Sequence, residues 1–599
     1  MRHIPGIAFA ELFWIYLLTP IMSVFLTDLD DFIAPGQACV NPLVVGKSKT
    51  DDEKSSSSTG ARITLESDFS TSEFGGVQRA PLLASEPNLI RTKGGLDNSQ
   101  KVATVSLNDC LACSGCVTTA ETVLIQQQST EKLMEKLFGI SSGSSTDDDV
   151  IVLAISPQSR ASIAHKLGMQ SSVVFLYIAT VLKQMGVKYV VDSSSAGDVA
   201  LIEAREEFLH KYRGTPAGSK TSWEKPGTTV AVSSTRINMD VFTEGSSPTL
   251  VGPPNVSSRL PMIVSSCPGW VCYAEKTQPQ AIPLMSSTKS AQQILGSVFK
   301  KYFGNQAATA TAESSGSGVY MISIQPCFDK KLEASRLDFY DDSTDDVDVD
   351  LVLSTTELWN ILESQALLGN FPTINEYFLS LQPDNVNGSD EVEALFRNFS
   401  VDGQILVSSD SDTGSGGHMD YMIRYMSETL FGKNLWEDDA DKTKRPKLDF
   451  KVGRNPDIAE LNIFDLSTST DDNEPKKLKF AKVYGFRNIQ SVMMKLKRGK
   501  CEYDFMEVMA CPSGCVNGGG QLRIEGHESS QEGKERIKAV EKEYHTGLLG
   551  KPDDSPLVKF LYSDERLGQP LSEEAKSLLH TRHHAIPKLE EIAPLAAKW

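Results

Sequence analysis

The sequence predicts an α/β fold of parallel strands with helices on both faces. Three observations carry this. Short, continuous apolar runs of strand length recur along the chain, stretches with helical spacing of apolar residues follow them, and no internal repeat of fixed period is present. Continuous runs, as opposed to alternating ones, suit strands that are covered on both faces. VIVLAIS (150–156) is the first such strand, and SSVVFLYIATVLKQMG follows it at helical spacing. VKYVVD (187–192) is the second, followed by the helical GDVALIEAREEFLHK. PMIVSS (261–266), YMISIQ (320–325), VDLVLS (349–354), FAKVYG (480–485) and YDFMEVMA (503–510) are further strands.

The 599 residues allow roughly four domains at about 150 residues each. Much of that length, however, is low-complexity: KSSSSTG (54–60), SSGSSTDDD (141–149), GTPAGSKTSWEKPGTT (214–229), ATATAESSGSG (308–318), DDSTDDVDVD (341–350) and SSDSDTGSGG (408–417). Such segments bury too little apolar surface to offset their ordering entropy, so they are read as solvated loops inserted into fewer domains. The net charge of −19 argues against binding a phosphate backbone, which needs a positive field. Residues 7–26, IAFAELFWIYLLTPIMSVFL, look like a signal peptide or membrane anchor. No small-residue cleavage site follows and Asp28, Asp30 and Asp31 come at once, so residues 1–21 are read as an apolar extension or an over-long start, with Met22 as an alternative first residue.

Ten cysteines are too few for a disulfide scaffold, but they are clustered, which points to metal. SLNDCLACSGCVTTAE holds Cys110, Cys113 and Cys116 at C-x2-C-x2-C spacing, three corners of a ferredoxin-type 4Fe–4S site. Position 120 is Ala, so the usual two-cluster run is interrupted and a fourth ligand comes from elsewhere; Cys39, in APGQACVNP, is the candidate. Zinc and structural thiols are the alternatives, although zinc sites pair two C-x2-C units or use His. Four more cysteines follow strands. Cys267 comes after PMIVSS, Cys327 after YMISIQP, and Cys511 and Cys515 after YDFMEVMA. In α/β sheets the carboxyl edge of the strands is where ligands bind. Gly514, Gly518, Gly519 and Gly520 would let the backbone approach a bulky inorganic ligand. Cys272 and Cys501 lack this placement and read as small buried hydrophobes.

SCPGW, PCFDKKLE and MACPSGCVNGGGQ resemble the three H-cluster motifs of iron-only hydrogenases. Together with CLACSGC and DLDDFIAPGQAC, they resemble the eukaryotic hydrogenase-like subfamily of cytosolic iron–sulfur protein assembly factors, related to the nuclear prelamin A recognition factor. The resemblance covers most of residues 22–599. It implies a two-lobed, iron-only-hydrogenase-like α/β body of parallel sheets flanked by helices, plus a small ferredoxin-like N-terminal cluster segment. The implied organisation is residues 22–140 as the iron–sulfur segment with a disordered insert at about 45–100, residues 148–528 as the large-subunit-like body, and residues 529–599 as a small-subunit-like helical tail.

Carried over residue by residue, the resemblance assigns Cys39, Cys110, Cys113 and Cys116 to one 4Fe–4S cluster and Cys267, Cys327, Cys511 and Cys515 to a second. Cys515 matches the thiolate that bridges to the two-iron subcluster of true hydrogenases, and Lys330 matches the lysine contacting that subcluster's ligands. Two departures count against hydrogen chemistry. Ser266 stands where hydrogenases carry a proton-relaying cysteine, and a hydroxyl is a far weaker acid than a thiol of pKa about 8.5. Leu522 replaces a Pro.

The function so implied is non-enzymatic: cytosolic and nuclear iron–sulfur cluster assembly, linking an early scaffold to the late targeting complex with its WD40-repeat adaptor. An active hydrogenase or other redox enzyme and a simple electron carrier are the other readings. Trp599 at the C-terminus is a possible docking handle for the targeting complex. No H-E-x-x-H, Walker loop or nucleophilic Ser–His arrangement is present, and His580, His583 and His584 read as a solvated helix end. Iron-bound thiolates must stay reduced, which argues for a cytoplasmic protein and against the apolar first 26 residues as an export signal; no nucleic-acid partner is expected at a net charge of −19, nor a membrane one.

Overall fold

The computed structural model describes residues 125–138, 149–214, 260–307, 318–341, 346–381, 391–396, 406–407, 414–436, 446–464 and 477–586, apart from a few short breaks. Contacts divide the chain into residues 36–104 and the remainder, and every described residue belongs to the remainder. Cys39, Cys110, Cys113, Cys116, Trp599 and the apolar segment 7–26 lie outside the described residues. Among the described residues, no helix is long and apolar enough to cross a membrane.

After α1 (Thr130–Phe138), the β-branched run VIVLAI forms β1 (Val150–Ile155). Ser156 then caps α2 (Pro157–Leu167), with Pro157 at the position where its missing N–H does no harm, and Gly168 ends the helix at φ 66°. α3 (Ser171–Gln184), β2 (Tyr189–Asp192) and α4 (Ser194–Gly214) follow. Next come β3 (Met262–Val264), α5 (Pro268–Thr277), α6 (Ala291–Ala307), β4 (Val319–Gln325), α7 (Asp329–Ala334) and β5 (Leu351–Ser354). The first sheet has the order β2-β1-β4-β5 and is parallel throughout. Its register pairs Ile155 with Asp192 and Ile324, and Gln325 with Ser354, so the four strands end nearly level and open on one edge.

Alternate residues of this sheet enter two cores, as the two-residue period of a strand requires. Leu153, Ile155, Ile322, Ile324, Leu351 and Leu353 pack against α2 and α3. Val152, Ala154, Met321 and Val352 face α4, α6 and the C-terminal residues Leu557, Leu561 and Leu579. Each such Val, Leu, Ile or Met side chain, fully buried, contributes about 1.5–3 kcal/mol. The tail therefore completes the core of the first sheet.

The second sheet has the order β3-β9-β8-β7-β6, from β6 (Lys451–Val452), β7 (Ile458–Phe464), β8 (Lys477–Tyr484) and β9 (Phe505–Met509). β3, β9 and β8 are parallel, and β7 and β6 add an antiparallel edge. β7, IAELNIF, is absent from the expected strands because it alternates instead of running continuously. One face of this sheet packs Ile263, Val483 and Val508 with α5 and α9 (Phe486–Lys497). The other packs Met262, Phe480 and Phe505 with α8 (His418–Phe431) and with Ala204, Phe208 and Leu209 of α4. α4 thus serves both sheets, its first half lying on one and its second half on the other.

Where α4 crosses from one sheet to the other it carries a fully buried ionic network. Glu203 accepts hydrogen bonds from the Tyr562 hydroxyl (2.6 Å) and the Leu571 N–H (3.0 Å), and faces His580 Nε2 at 3.0 Å. Glu207 meets Lys211 at 3.0 Å and accepts from the Ser286 hydroxyl at 2.6 Å. Burial alone would raise the Glu207 carboxyl, but Lys211, His580 and Ser286 together hold it below its ordinary value.

Two expectations are corrected here. The end of the acidic run 341–350 is not a solvated loop: Lys300 pairs with Asp346 (2.6 Å) and Asp350 (3.0 Å), and Lys289 pairs with Asp348 (2.7 Å). Burial raises the Asp348 and Asp350 carboxyls. Nor is the histidine group a solvated helix end. His580 is buried against Glu203, His583 Nε2 lies 3.0 Å from the Ser286 carbonyl, and His584 Nε2 lies 3.0 Å from Asp338.

Candidate iron–sulfur site

The carboxyl edges of both sheets open on one cavity of about 120 Å³, where a single water needs only about 10–15 Å³. All four strand-end cysteines line it. The first sheet delivers Cys327, just past β4, between Pro326 and the start of α7. The second sheet delivers Cys267, which ends the β3 segment and caps α5, together with Cys511 and Cys515 after β9.

The four thiols are free and lie within one another's fields. Burial, reinforced by Asp329, Cys267 and Cys515, pushes the Cys327 thiol well above its ordinary value. Burial and the other three thiols do the same to Cys511. Burial and then Cys267 push the Cys515 thiol up to about 12. The backbone supplies donors: the Ala510 N–H points to Cys267 Sγ at 3.4 Å. One buried and three half-buried thiols gathered in this field suit a positively charged inorganic core, which would draw off the protons and hold the thiolates. Among the described residues, no three Cys, His, Asp or Glu side chains gather tightly enough to hold a single ion. A lone zinc with Zn–S of about 2.3 Å needs its sulfurs about 3.8 Å apart.

Gly518 lines the cavity, and the glycines of this loop also lie close against protein. Gly514 has φ 81°, and a Cβ there would sit 2.1 Å from Ser415 Oγ and 2.9 Å from the Tyr484 ring. At Gly518 a Cβ would sit 2.3 Å from the Pro326 carbonyl. Gly514 lets the 511–520 loop lie on Ser415 and Tyr484, Gly518 lets it lie on the segment after β4, and the Gly520 N–H donates to the Pro326 carbonyl at 2.8 Å.

Ser266 lines the cavity beside Cys267. Lys330 also lines it, but its ammonium is tied to Glu333 at 2.8 Å, and Glu333 further accepts from Ser290 (2.9 Å) and Gln292 (3.1 Å). Leu522 lies in the core beneath the first sheet, Cys501 lies in the core of the second, and Cys272 sits on α5 away from the cavity lining.

Several lining residues escaped the sequence reading. Arg160, from α2, is paired with Asp192 and hydrogen-bonded to Ser171 (2.9 Å). Tyr544, the last residue of α10 (Ser530–Tyr544), reaches in from the tail. Gly416 and His418 come from the end of the Ser/Gly/Asp run 408–417, which is buried there and not solvated; Ser415 Oγ accepts the Cys515 N–H at 3.0 Å. The one available signal was that this run ends at GGHMDYMIRYM, where helical spacing begins.

Two family models match: "Iron only hydrogenase large subunit, C-terminal domain" over residues 149–519 and "Iron hydrogenase small subunit" over residues 531–586. The chain is 34% identical over 575 residues to cytosolic iron-sulfur assembly component 3 of Rattus norvegicus, covering 96% of this chain and 98% of the relative. It is 33% identical to cytosolic Fe-S cluster assembly factor narfl of Xenopus tropicalis, again over 96% and 98%. Its fold is similar to that of apo FeFe-hydrogenase HydA1 from Chlamydomonas reinhardtii, with TM-score 0.54 and 24% identity over 76% of this chain and 98% of the other. On the family-model matches and the relatives' identity, the chain belongs to the iron-only-hydrogenase-like family that includes the cytosolic iron–sulfur assembly factors.

Proposed function

We propose that this chain is a non-enzymatic iron–sulfur protein of the cytosolic and nuclear cluster-assembly machinery, carrying two 4Fe–4S clusters. The observation that carries this reading is the convergence of Cys267, Cys327, Cys511 and Cys515 on one cavity, with Ser266 beside them. Those four thiolates would hold one cluster. Cys39, Cys110, Cys113 and Cys116 would hold the other, in a segment at 22–140 that precedes a body at 148–528 and a tail at 529–599. Bound, such a cluster supplies a one-electron couple or a unit to pass on. The chain's own part is to present four thiolates, shield them from water between two sheets, and aim backbone N–H groups at their sulfurs.

The assembly role is supported by the names of the relatives, and we place this chain between an early scaffold and the late targeting complex with its WD40-repeat adaptor. Trp599 would serve as a docking residue for that complex. Ser266 supports the non-enzymatic reading, since its hydroxyl is a poor proton relay at neutral pH. Iron, acid-labile sulfide and EPR measurements on anaerobically purified wild type, Cys39→Ala and Cys515→Ala test the assignment. About eight irons are expected in the wild type, with about four lost in each variant. Tightly bound zinc without iron would overturn it.

One observation favours a second reading, an active hydrogenase: Lys330 reaches the cavity, as the resemblance to hydrogenase motifs implies. Absence of methyl-viologen-driven hydrogen evolution from a fully matured sample would dispose of it.

A further inference from the structure

Two helices, α9 and α10, each turn one face outward, and the two faces are charged differently. α10 mixes signs: Glu532, Glu535 and Glu543 stand among Lys534, Lys538 and Lys542. α9 carries one sign only. From residue 475 to residue 501 the sequence holds nine Lys and Arg and no Asp or Glu, in a chain of net charge −19.

The inner face of α9 buries Ile489, Val492, Met493 and Leu496 in the core of the second sheet. Its outer face exposes Arg487, Ser491, Met494, Lys495 and Lys497, and Arg498 continues it. Spacings of four, seven and eleven residues put Arg487, Ser491, Met494 and Arg498 in one row, about 17 Å long at about 1.5 Å per residue. Arg487, Lys495, Lys497 and Arg498 make no ion pair among the described residues, whereas Lys479 on neighbouring β8 meets Glu502 at 3.1 Å. The helix dipole accounts for Lys495 and Lys497 in the last turn, but it disfavours Arg487 in the first, and Lys495 and Arg498 repel one another across one turn. Met494, 52% exposed, sets a flexible apolar side chain among these charges. The first turn adjoins the loop of Cys511 and Cys515: the Gly485 N–H donates to the Met509 carbonyl at 2.9 Å, and a Cβ on Gly485 would lie 3.7 Å from Pro512.

We propose that the outer face of α9 docks an acidic protein, whose carboxylates meet Arg487, Lys495, Lys497 and Arg498 and whose apolar side chain meets Met494. A chain of net charge −19 repels an acidic partner on most approaches, so a single-sign basic face selects where that partner lands. Nucleic acid fits less well, since the charge of the whole chain opposes it and a phosphate backbone offers Met494 nothing apolar. The row is short beside a standard interface of about 800 Å² per partner, so the complex is transient and weakened by salt. The inference stands without the cluster reading.

The test uses the anaerobically purified full chain at low salt with three labelled probes: poly-L-glutamate, a glutamate–leucine copolymer and duplex DNA. Wild type should bind both polypeptides, the copolymer more tightly, and release them as salt rises. The triple variant Lys495→Glu, Lys497→Glu, Arg498→Glu should bind at least about tenfold more weakly. Lys534→Glu, Lys538→Glu, Lys542→Glu on α10 makes the same change in net charge and should stay within about twofold of wild type. Met494→Gln should weaken the copolymer several-fold and leave poly-L-glutamate unchanged. Peroxide should oxidise Met494 more slowly in the copolymer complex than in the free chain.

Equal losses in the two triple variants would show that net charge alone acts, and would overturn the proposal. Wild type that ignores the copolymer, or that binds DNA more tightly, would overturn it too. If the α9 variant failed to fold, a Met494 oxidised equally fast in the free and bound wild type would overturn it without that variant.

Discussion

Two buried polar regions meet α4, the cysteine cavity at Ser194, Gly197 and Ala200 and an ionic network from Glu203 onward, and they behave in opposite ways. The Glu203–Glu207–Lys211–His580 network is closed: each carboxylate meets a cation or imidazole and accepts hydrogen bonds from hydroxyls or N–H groups. The cysteine cavity is open. Neighbouring thiols raise the pKa of Cys327, Cys511 and Cys515, and two lining side chains leave a polar atom unpartnered. A closed network spends its interactions on holding the chain together. An open one, kept inside a well-packed body, is arranged for something the chain does not contain. Stability should therefore reside in the first region and binding in the second.

The sharpest way to break this comparison is Glu203→Ala. It strands His580 and the Tyr562 hydroxyl, and should cost about 3–5 kcal/mol in cluster-free protein. A loss under about 1 kcal/mol on denaturant unfolding would show that the network is not closed in the sense argued. Gly518→Ala comes next. Its Cβ would meet the Pro326 carbonyl at 2.3 Å, so the loop and the segment after β4 must part. The expected loss is about 1–3 kcal/mol, accompanied by reduced iron loading.

Asp504 is an intermediate case, a mostly buried carboxylate whose hydrogen-bond partner is the Lys479 N–H at 2.8 Å. Burial raises its pKa to about 6. The folded chain thus holds that proton more tightly than the unfolded one, so the stability present below the ordinary carboxylate value is lost as pH rises through about 6. Asp504→Asn keeps the acceptor and should gain about 1–2 kcal/mol at pH 7 and nothing at pH 4. An equal gain at both would point to a cause other than ionisation. The smallest effect on stability belongs to the open region. Cys511→Ala should shift cluster-free protein by less than about 1 kcal/mol, while removing about four irons from the loaded protein. A large loss in the cluster-free state would mean that the thiols also hold the fold.

The strand ends were legible because both sheets are covered on their two faces, so their strands read as continuous apolar runs and Cys267, Cys327 and Cys511 fall just beyond them. β7 was hidden for the converse reason. As part of the antiparallel edge, it alternates Glu460 and Asn462 with Leu461 and Ile463, a pattern outside the search for continuous runs. The low-complexity segments misled where charge or glycine found a partner far along the chain. Asp346, Asp348 and Asp350 are loop-like by composition but meet lysines on the segment that contains α6. Ser415 was missed because its partner, the Cys515 N–H, arrives only through folding, about 100 residues later. Tyr544 carried no local signal at all, since nothing in a solvated amphipathic helix marks its last residue as lining a site.

The cavity draws on segments that begin at Ser156 and end at Tyr544. That spread has a consequence in time. Roughly 250 residues separate Cys267 from Cys515, which a ribosome covers in about 12–50 s at about 5–20 residues per second. For that interval a nascent chain carries Cys267, and later Cys327, with no enclosure and no complete set of companions. Their oxidation or capture by stray metal competes with folding until α10 emerges with Tyr544 and the wall closes. Loading would accordingly follow the emergence of Cys515 and α10, and the rate at which the roughly 250 residues after Cys267 appear would set how long its thiols need protection.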